Sequence, residues 1–424
     1  MERITRNIEK LQYNSVNAHH RGVNNNNTNM YILFVVFLIN PLISCLMSFY
    51  LVGKGNKSRY PLLFISLFFG LLAFTQYTEI GDMSRTYSSI KQSINLMDSN
   101  FSLFLLSVIK SPVFYIISIL VSKLTGNIQY ISLIWGTLVY FFIYLSIENL
   151  FKYFKLNDTN RLKVYLVTII CFVIFVENME LLKQAVATSM VFLSLSFFLL
   201  RDYKKSIIIY LLSFGIHLAS MFYLPLFFAF YLGFSTVSIF FLLSFFLRFF
   251  NLMSYVVVFF QQIGLSAYAE VAQGYSESFD TGFRSGAVYF VLAFVVLQSI
   301  VLLHCFLNNK KNIISKISLL FIVVLNLNYQ NDHNFTRLIL FSYPIYILIY
   351  MDFLSNNIRL KNIRAQLLSL IIISTLFLNV YISKDRYSTK SSPAAYTTSF
   401  MNNSLWDIST SSIYGYLSYK VPID

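Results

Sequence analysis

Charge is scarce in this chain. Only 12% of its 424 residues are Asp, Glu, Lys or Arg, against about 25% in ordinary soluble domains. That leaves too little polar surface to cover a water-soluble fold of this length. Cysteine is also sparse: Cys45, Cys171 and Cys305 each lie inside an apolar run, with no disulfide or metal spacing. His217 and His333 lack a local set of carboxylate or Cys partners, so no metal is expected. There is no P-loop, no GxGxxG after a strand and no HExxH. Nothing suggests a redox group, and no cofactor is expected. No cleavable signal peptide is expected either, since residues 1–29 are polar and the first apolar run lacks a small-residue cleavage site.

What is present is apolar: 57% of residues are hydrophobic and the mean hydropathy is +0.64. Long uncharged runs alternate with short loops, and every second loop carries Lys and Arg. This pattern predicts an all-α fold, a polytopic transmembrane helical bundle of about twelve spans. They are expected near 30–52, 60–77, 128–148, 162–177, 180–200, 205–217, 219–234, 236–260, 286–307, 317–329, 337–353 and 365–383. The pair 205–217 and 219–234 reads either as two spans or as one helix broken around Gly215-Ile216-His217.

The net charge of +14 comes largely from these basic loops, so nucleic acid is not the expected partner. Lys54, Lys57 and Arg59 form one cluster, and Lys152, Lys155, Arg161 and Lys163 a second. Arg201, Lys204 and Lys205 form a third; Lys310, Lys311 and Lys316 a fourth; Arg359, Lys361 and Arg364 a fifth. Such clusters favour the cytoplasmic side. Parity then makes 78–127 one large extracytoplasmic loop. The run Val113 to Val121 is too short to span, at about 14 Å against a core of about 30 Å. Ile90, Ile94, Met97, Phe101, Phe104 and Ile109 recur near helical spacing among polar residues. Both segments are expected to be interfacial amphipathic helices. The organisation expected is a polar, disordered tail at 1–29, one transmembrane domain at 30–383 and a polar extracytoplasmic tail at 384–424.

Four polar constellations fall on the expected outer face. Glu79, Gly81, Asp82, Arg85 and Tyr87 open the large loop, where a carboxylate could take a proton from an acceptor hydroxyl. Glu177, Asn178, Glu180, Lys183 and Gln184 begin an apolar helix. Glu180 suits a helix N-terminus, and Lys183 lies where ionisable groups are costly and tend to be functional. His217, with Ser220 and Pro225, marks a helix break. Asn331, Asp332, His333, Asn334 and Arg337 form a short loop in which Asp332-His333 could act as an acid–base pair. Arg337 could bind a phosphate through its planar fork, and Arg284 is a further outer cation.

These residues resemble the EpsG family of Wzy-like bacterial polysaccharide polymerases. Gly81-Asp82 with Tyr87 is similar to the family's G-x-D-Y-x-x-Y segment. Ser111-Pro112-Val113-Phe114-Tyr115, followed by Gly126, is similar to E-P-x-F-Y-x-L. Lys183-Gln184-Ala185-Val186-Ala187 is similar to R-Q-x-x-A, and Ile216-His217-Leu218-Ala219-Ser220 with Pro225 to F-H-x-S-A. Arg337 matches a later arginine. Gln76, Met83, Lys183 and Ser111 depart from the pattern, and Arg85 could supply the cation that Gln76 lacks.

The resemblance implies an inner-membrane glycosyltransferase that joins repeat units carried on undecaprenyl diphosphate. Asp82 and His217 would be catalytic. Arg85, Lys183, Gln184, Arg284, Asp332, His333 and Arg337 would bind diphosphate or glycan. The partners implied are the lipid-linked glycan, the bilayer, a chain-length regulator and a flippase. The competing readings are a flippase or transporter of lipid-linked oligosaccharide and a lipid-glycan ligase. Transporters favour midplane sites and internal repeats; here no repeat is evident and the polar residues share one face.

Overall fold

The computed structural model describes residues 29–56, 58–74, 82–109, 111–250, 252–264, 269, 273, 287–307, 312–355, 366, 368–377 and 380. Both expected tails lie outside them, apart from Asn29. Among the described residues the chain is helical, without a strand. Among the described residues four helical stretches are long and apolar enough to cross a membrane: Tyr130–Phe154, Leu182–Leu199, Tyr289–Leu307 and Asn334–Ser355, the last of them broken at Phe341-Ser342. Eight shorter apolar helices of 10–17 residues accompany them.

Tyr130–Phe154 lies at the centre, packed against Tyr60–Phe74 and Leu182–Leu199. Small residues permit that closeness. A Cβ added to Gly70 would stand 2.6 Å from the Leu133 carbonyl oxygen, and one on Gly136 would stand 2.9 Å from the Ala73 Cβ. Close backbone approach of this kind replaces the hydrophobic drive that lipid-embedded helices lack. Polar pairs add direction: Asn149 Nδ2 donates to Ser196 Oγ at 3.0 Å, and Asn326 Nδ2 to Ser244 Oγ at 2.8 Å.

Several expected boundaries are corrected. The run 236–260 is two helices, Phe234–Leu247 and Leu252–Gln262. Its break falls at Arg248, whose guanidinium lies 4.4 Å from the centroid of the Tyr329 ring. A charge is costly inside an apolar helix; at the break it rests on an aromatic face. The run 162–177 is also interrupted, passing from Arg161–Val167 into a π-helical turn at Thr168–Phe172 and then into Phe175–Glu180. Glu180 therefore ends a short helix, two residues before Leu182–Leu199 begins.

The pair around His217 resolves into two antiparallel elements. Tyr203–Ile216 ends at His217, and the 3-10 helix Leu218–Phe230 runs back beside it. The Tyr210 hydroxyl donates to the Ser220 carbonyl at 3.0 Å, and its ring lies 5.1 Å from that of Phe227. The amphipathic stretch after Asp82 is likewise two helices, Asp82–Ser99 and Phe101–Val108. Asn100 separates them, its side chain accepting from Leu103 N at 3.2 Å. Pro112–Thr125 follows as a 14-residue helix. At about 21 Å it is shorter than a hydrocarbon core.

Two buried polar clusters occupy the end of the bundle opposite Asp82. Arg161 pairs with Glu148 and Asp158, and its side chain is 8% exposed. This cation, expected among loop charges, is instead neutralised inside the fold. In the second cluster Asp352 Oδ2 lies 2.8 Å from His304 Nε2 and accepts from Asn312 Nδ2 at 2.7 Å. The Ser315 hydroxyl lies 3.2 Å from His304 Nδ1. The cluster joins Ala287–Leu307, Ile313–Leu327 and Tyr343–Ser355. Asp352→Ala is therefore expected to destabilise the protein by roughly 1–3 kcal/mol, the usual cost of leaving buried hydrogen-bonding groups unmet. Asp352→Asn, which keeps an acceptor oxygen, should cost less. Thermal unfolding of the detergent-purified protein tests this; an unchanged midpoint for Asp352→Ala would exclude the cluster as a staple.

Candidate active site

Asp82 begins the helix Asp82–Ser99. Met83, Tyr87 and Ile90 anchor this helix in the core. The Tyr87 hydroxyl is bonded to Ser132 Oγ, and burial pushes its phenol up to about 12. Tyr87 therefore stays protonated at neutral pH and serves packing. With one face buried, Asp82 turns outward. Its Oδ1 meets Arg85 and its Oδ2 accepts from Arg337 Nη2 at 2.9 Å.

Arg337 arrives from the distant end of the chain. Asn331 caps Asp332–Leu340, its side chain accepting from Asn334 N at 2.9 Å. Phe335, Leu338 and Ile339 bury one face, and the Phe335 ring packs on Phe294 and Tyr329. That anchorage leaves Arg337 facing Asp82, with its side chain 18% exposed. A second helix, Tyr343–Ser355, follows after Phe341-Ser342. Pro344 has no N–H for the Leu340 carbonyl, so the helix cannot run straight through.

Lys183 and Gln184 lie in the first turn of Leu182–Leu199. The Lys183 ammonium donates to the Tyr115 hydroxyl at 3.3 Å and lies over the Tyr115 and Phe114 rings. Gln184 is buried, and its side-chain oxygen has no hydrogen-bond partner among the described residues. A buried, unmet acceptor is costly, and a hydroxyl-bearing ligand would satisfy it. His217, in extended backbone conformation, caps Tyr203–Ile216.

These side chains meet. Asp82, Arg85, Lys183, Gln184, His217 and Arg337 all line one cavity of about 180 Å³. That is below the roughly 300–1,000 Å³ of a pocket enclosing a whole drug-sized molecule. It suits a compact head group with the rest of the ligand outside. Three cations face one carboxylate, so the cavity is electropositive and favours an anion. Its partly enclosed walls strengthen that preference, because charges interact more strongly away from bulk water.

Six of the expected site residues are thus brought together from four separated stretches of chain. Arg284 lies outside the described residues. Asp332 and His333 stand in the first turn of a helix, not in the expected loop; their side chains are outside the description. Tyr115 and Phe114 were part of a recognised segment, yet their contact with Lys183 depends on packing across 68 residues. The His304–Asp352 pair was missed, because each residue stands alone in an apolar run.

Apolar helices long enough to cross a membrane, with a cavity lined by charged side chains at one end of the bundle, define a membrane-embedded protein. The chain matches the family model described as EpsG family over residues 59–393. It belongs to the EpsG family, a family of Wzy-like polysaccharide polymerases. Comparison with curated proteins and with solved structures gives no match.

Proposed function

We propose that this protein polymerises oligosaccharide repeat units carried on undecaprenyl diphosphate, at the outer face of the bacterial inner membrane. The observation that carries this reading is the convergence of Asp82, Arg85, Lys183, Gln184, His217 and Arg337 on one cavity in a polysaccharide-polymerase family. An acceptor hydroxyl on one lipid-linked repeat attacks the anomeric carbon of the growing chain. A new C–O glycosidic bond forms as the C–O bond to diphosphate breaks. The hydroxyl proton passes to His217, and undecaprenyl diphosphate departs with the electron pair.

Arg337, Arg85 and Lys183 hold the departing diphosphate, whose charge grows as the bond breaks. Asp82 orients the two guanidiniums through its paired oxygens. Gln184 accepts from a glycan hydroxyl. The reaction needs no hydrolysable co-substrate, because the sugar–diphosphate bond is already activated. The cavity faces away from the cytoplasm in this reading, which places 78–127 outside. Lys152, Lys155 and Arg201 support that orientation, since they stand at the far ends of helices whose other ends approach the cavity.

The test is reconstitution. Purified protein in vesicles, supplied with undecaprenyl-diphosphate-linked repeats, is expected to give a ladder of polymer lengths and to release undecaprenyl diphosphate. Repeats that cross the bilayer without being joined would instead identify a transporter.

A further inference from the structure

We propose that Tyr115 is a positioning residue, which with Phe114 and Trp135 forms an aromatic rack that holds Lys183 ready for an anionic head group. This rests on the diphosphate reading of the cavity and adds a residue to it. Tyr115 is not among the residues lining the cavity; it stands behind one that is.

The cations of the cavity are held in two different ways. Arg85 and Arg337 share the Asp82 carboxylate, so part of their charge is already answered. Lys183 makes no ion pair among the described residues. Its ammonium lies 5.1 Å from the Tyr115 ring centroid and 5.8 Å from that of Phe114, and donates to the Tyr115 hydroxyl at 3.3 Å. An ammonium carries three donors. One goes to Tyr115, leaving two to turn toward a ligand. Aromatic faces fix a cation in place without neutralising it, whereas a carboxylate would have to be displaced before an anion could bind.

The rack itself is rigid. Phe114 is fully buried and stacks on Trp135, with centroids 5.2 Å apart and an interplanar angle of 16°. The Trp135 indole N–H donates to Ser118 Oγ at 3.0 Å, tying Tyr130–Phe154 to Pro112–Thr125. Pro112 starts the latter helix, where its missing N–H costs nothing. The same helix presses on Tyr203–Ile216: a Cβ on Gly215 would stand 2.7 Å from Val113 Cγ2. Gly215 lies two residues before His217, so one short helix braces both Lys183 and the segment bearing His217.

The experiment measures inorganic diphosphate binding to the purified full-length protein by calorimetry, alongside polymerisation from lipid-linked repeats. Tyr115→Phe keeps the ring and loses the hydroxyl. It is expected to weaken diphosphate binding about 3-fold, as for one modest hydrogen bond. Tyr115→Leu removes the ring as well, and about 10-fold is expected when a half-buried cation–π contact is lost along with the hydrogen bond. Polymerisation should show the loss in kcat as well as kcat/KM, because Lys183 holds a charge that grows in the transition state. In a Lys183→Ala background neither Tyr115 substitution should change diphosphate affinity by more than about 2-fold, because coupled residues are not additive.

Equal losses with and without Lys183 would make Tyr115 a packing residue and overturn the proposal. So would wild-type affinity in Tyr115→Leu. Should that variant fail to fold, the Tyr115→Phe cycle decides by the same criterion. Wild-type protein that binds no diphosphate would sink the diphosphate reading and this inference together. Intact diphosphate binding with Tyr115 silent overturns this inference alone.

Discussion

Arg337→Ala is expected to lower polymerisation about 100- to 1,000-fold, the usual effect of removing one fixed donor from a developing anion. The size follows from where Arg337 sits. It lies mostly shielded from solvent and is already aimed into the cavity by Asp82 at 2.9 Å, so it needs little reorganisation when the diphosphate begins to leave. Arg337→Lys should recover only part of the rate, because an ammonium cannot reproduce the planar two-donor fork. The loss should fall on kcat as well as kcat/KM, since the interaction strengthens in the transition state. Rates measured with purified lipid-linked repeats check this. Normal polymerisation by Arg337→Ala would shift the diphosphate role to Lys183 and Arg85.

His217→Asn should lower kcat by about 100- to 10,000-fold, the range for losing a positioned general base. Asparagine keeps a polar side chain at the helix cap but cannot accept a proton at neutral pH. Asp82→Asn should behave differently. It keeps the shape of the carboxylate while weakening its hold on Arg337 and Arg85. Its loss should therefore largely disappear once Arg337 has been replaced by alanine. A comparable loss for Asp82→Asn in both backgrounds would make Asp82 the proton acceptor. A mild effect of His217→Asn together with that result would exchange the two roles.

The membrane class and the level of the site were legible in the sequence. Asp82, Lys183, His217 and Arg337 stand out because each interrupts or borders an apolar run. Such interruptions mark the ends of helices, where polar groups can reach water. Breaks inside runs were less legible. Phe234–Leu247 and Leu252–Gln262 read as one span, because hydropathy averaged over about twenty residues hides a single Arg248 that has an aromatic face to rest on. The loop expected at Asp332-His333 became a helix, because Asn331 supplies a cap that hydropathy does not weigh.

What the sequence by itself determined was depth: hydropathy places residues along the axis of a helix and says which ends are polar. It does not say which helices are neighbours, because every lipid-facing or core-facing surface is apolar alike. Only the tertiary structure brought Asp82 to Arg337 across 255 residues and Lys183 to Tyr115 across 68. It likewise joined His304 to Asp352 across 48. Those meetings depend on the rotation of each helix about its axis, which is set by close contacts such as Gly70 against Leu133 and Gly136 against Ala73. Without water to drive helices together, small differences in side-chain size and a few polar pairs decide the packing, and they act only once the chain is folded.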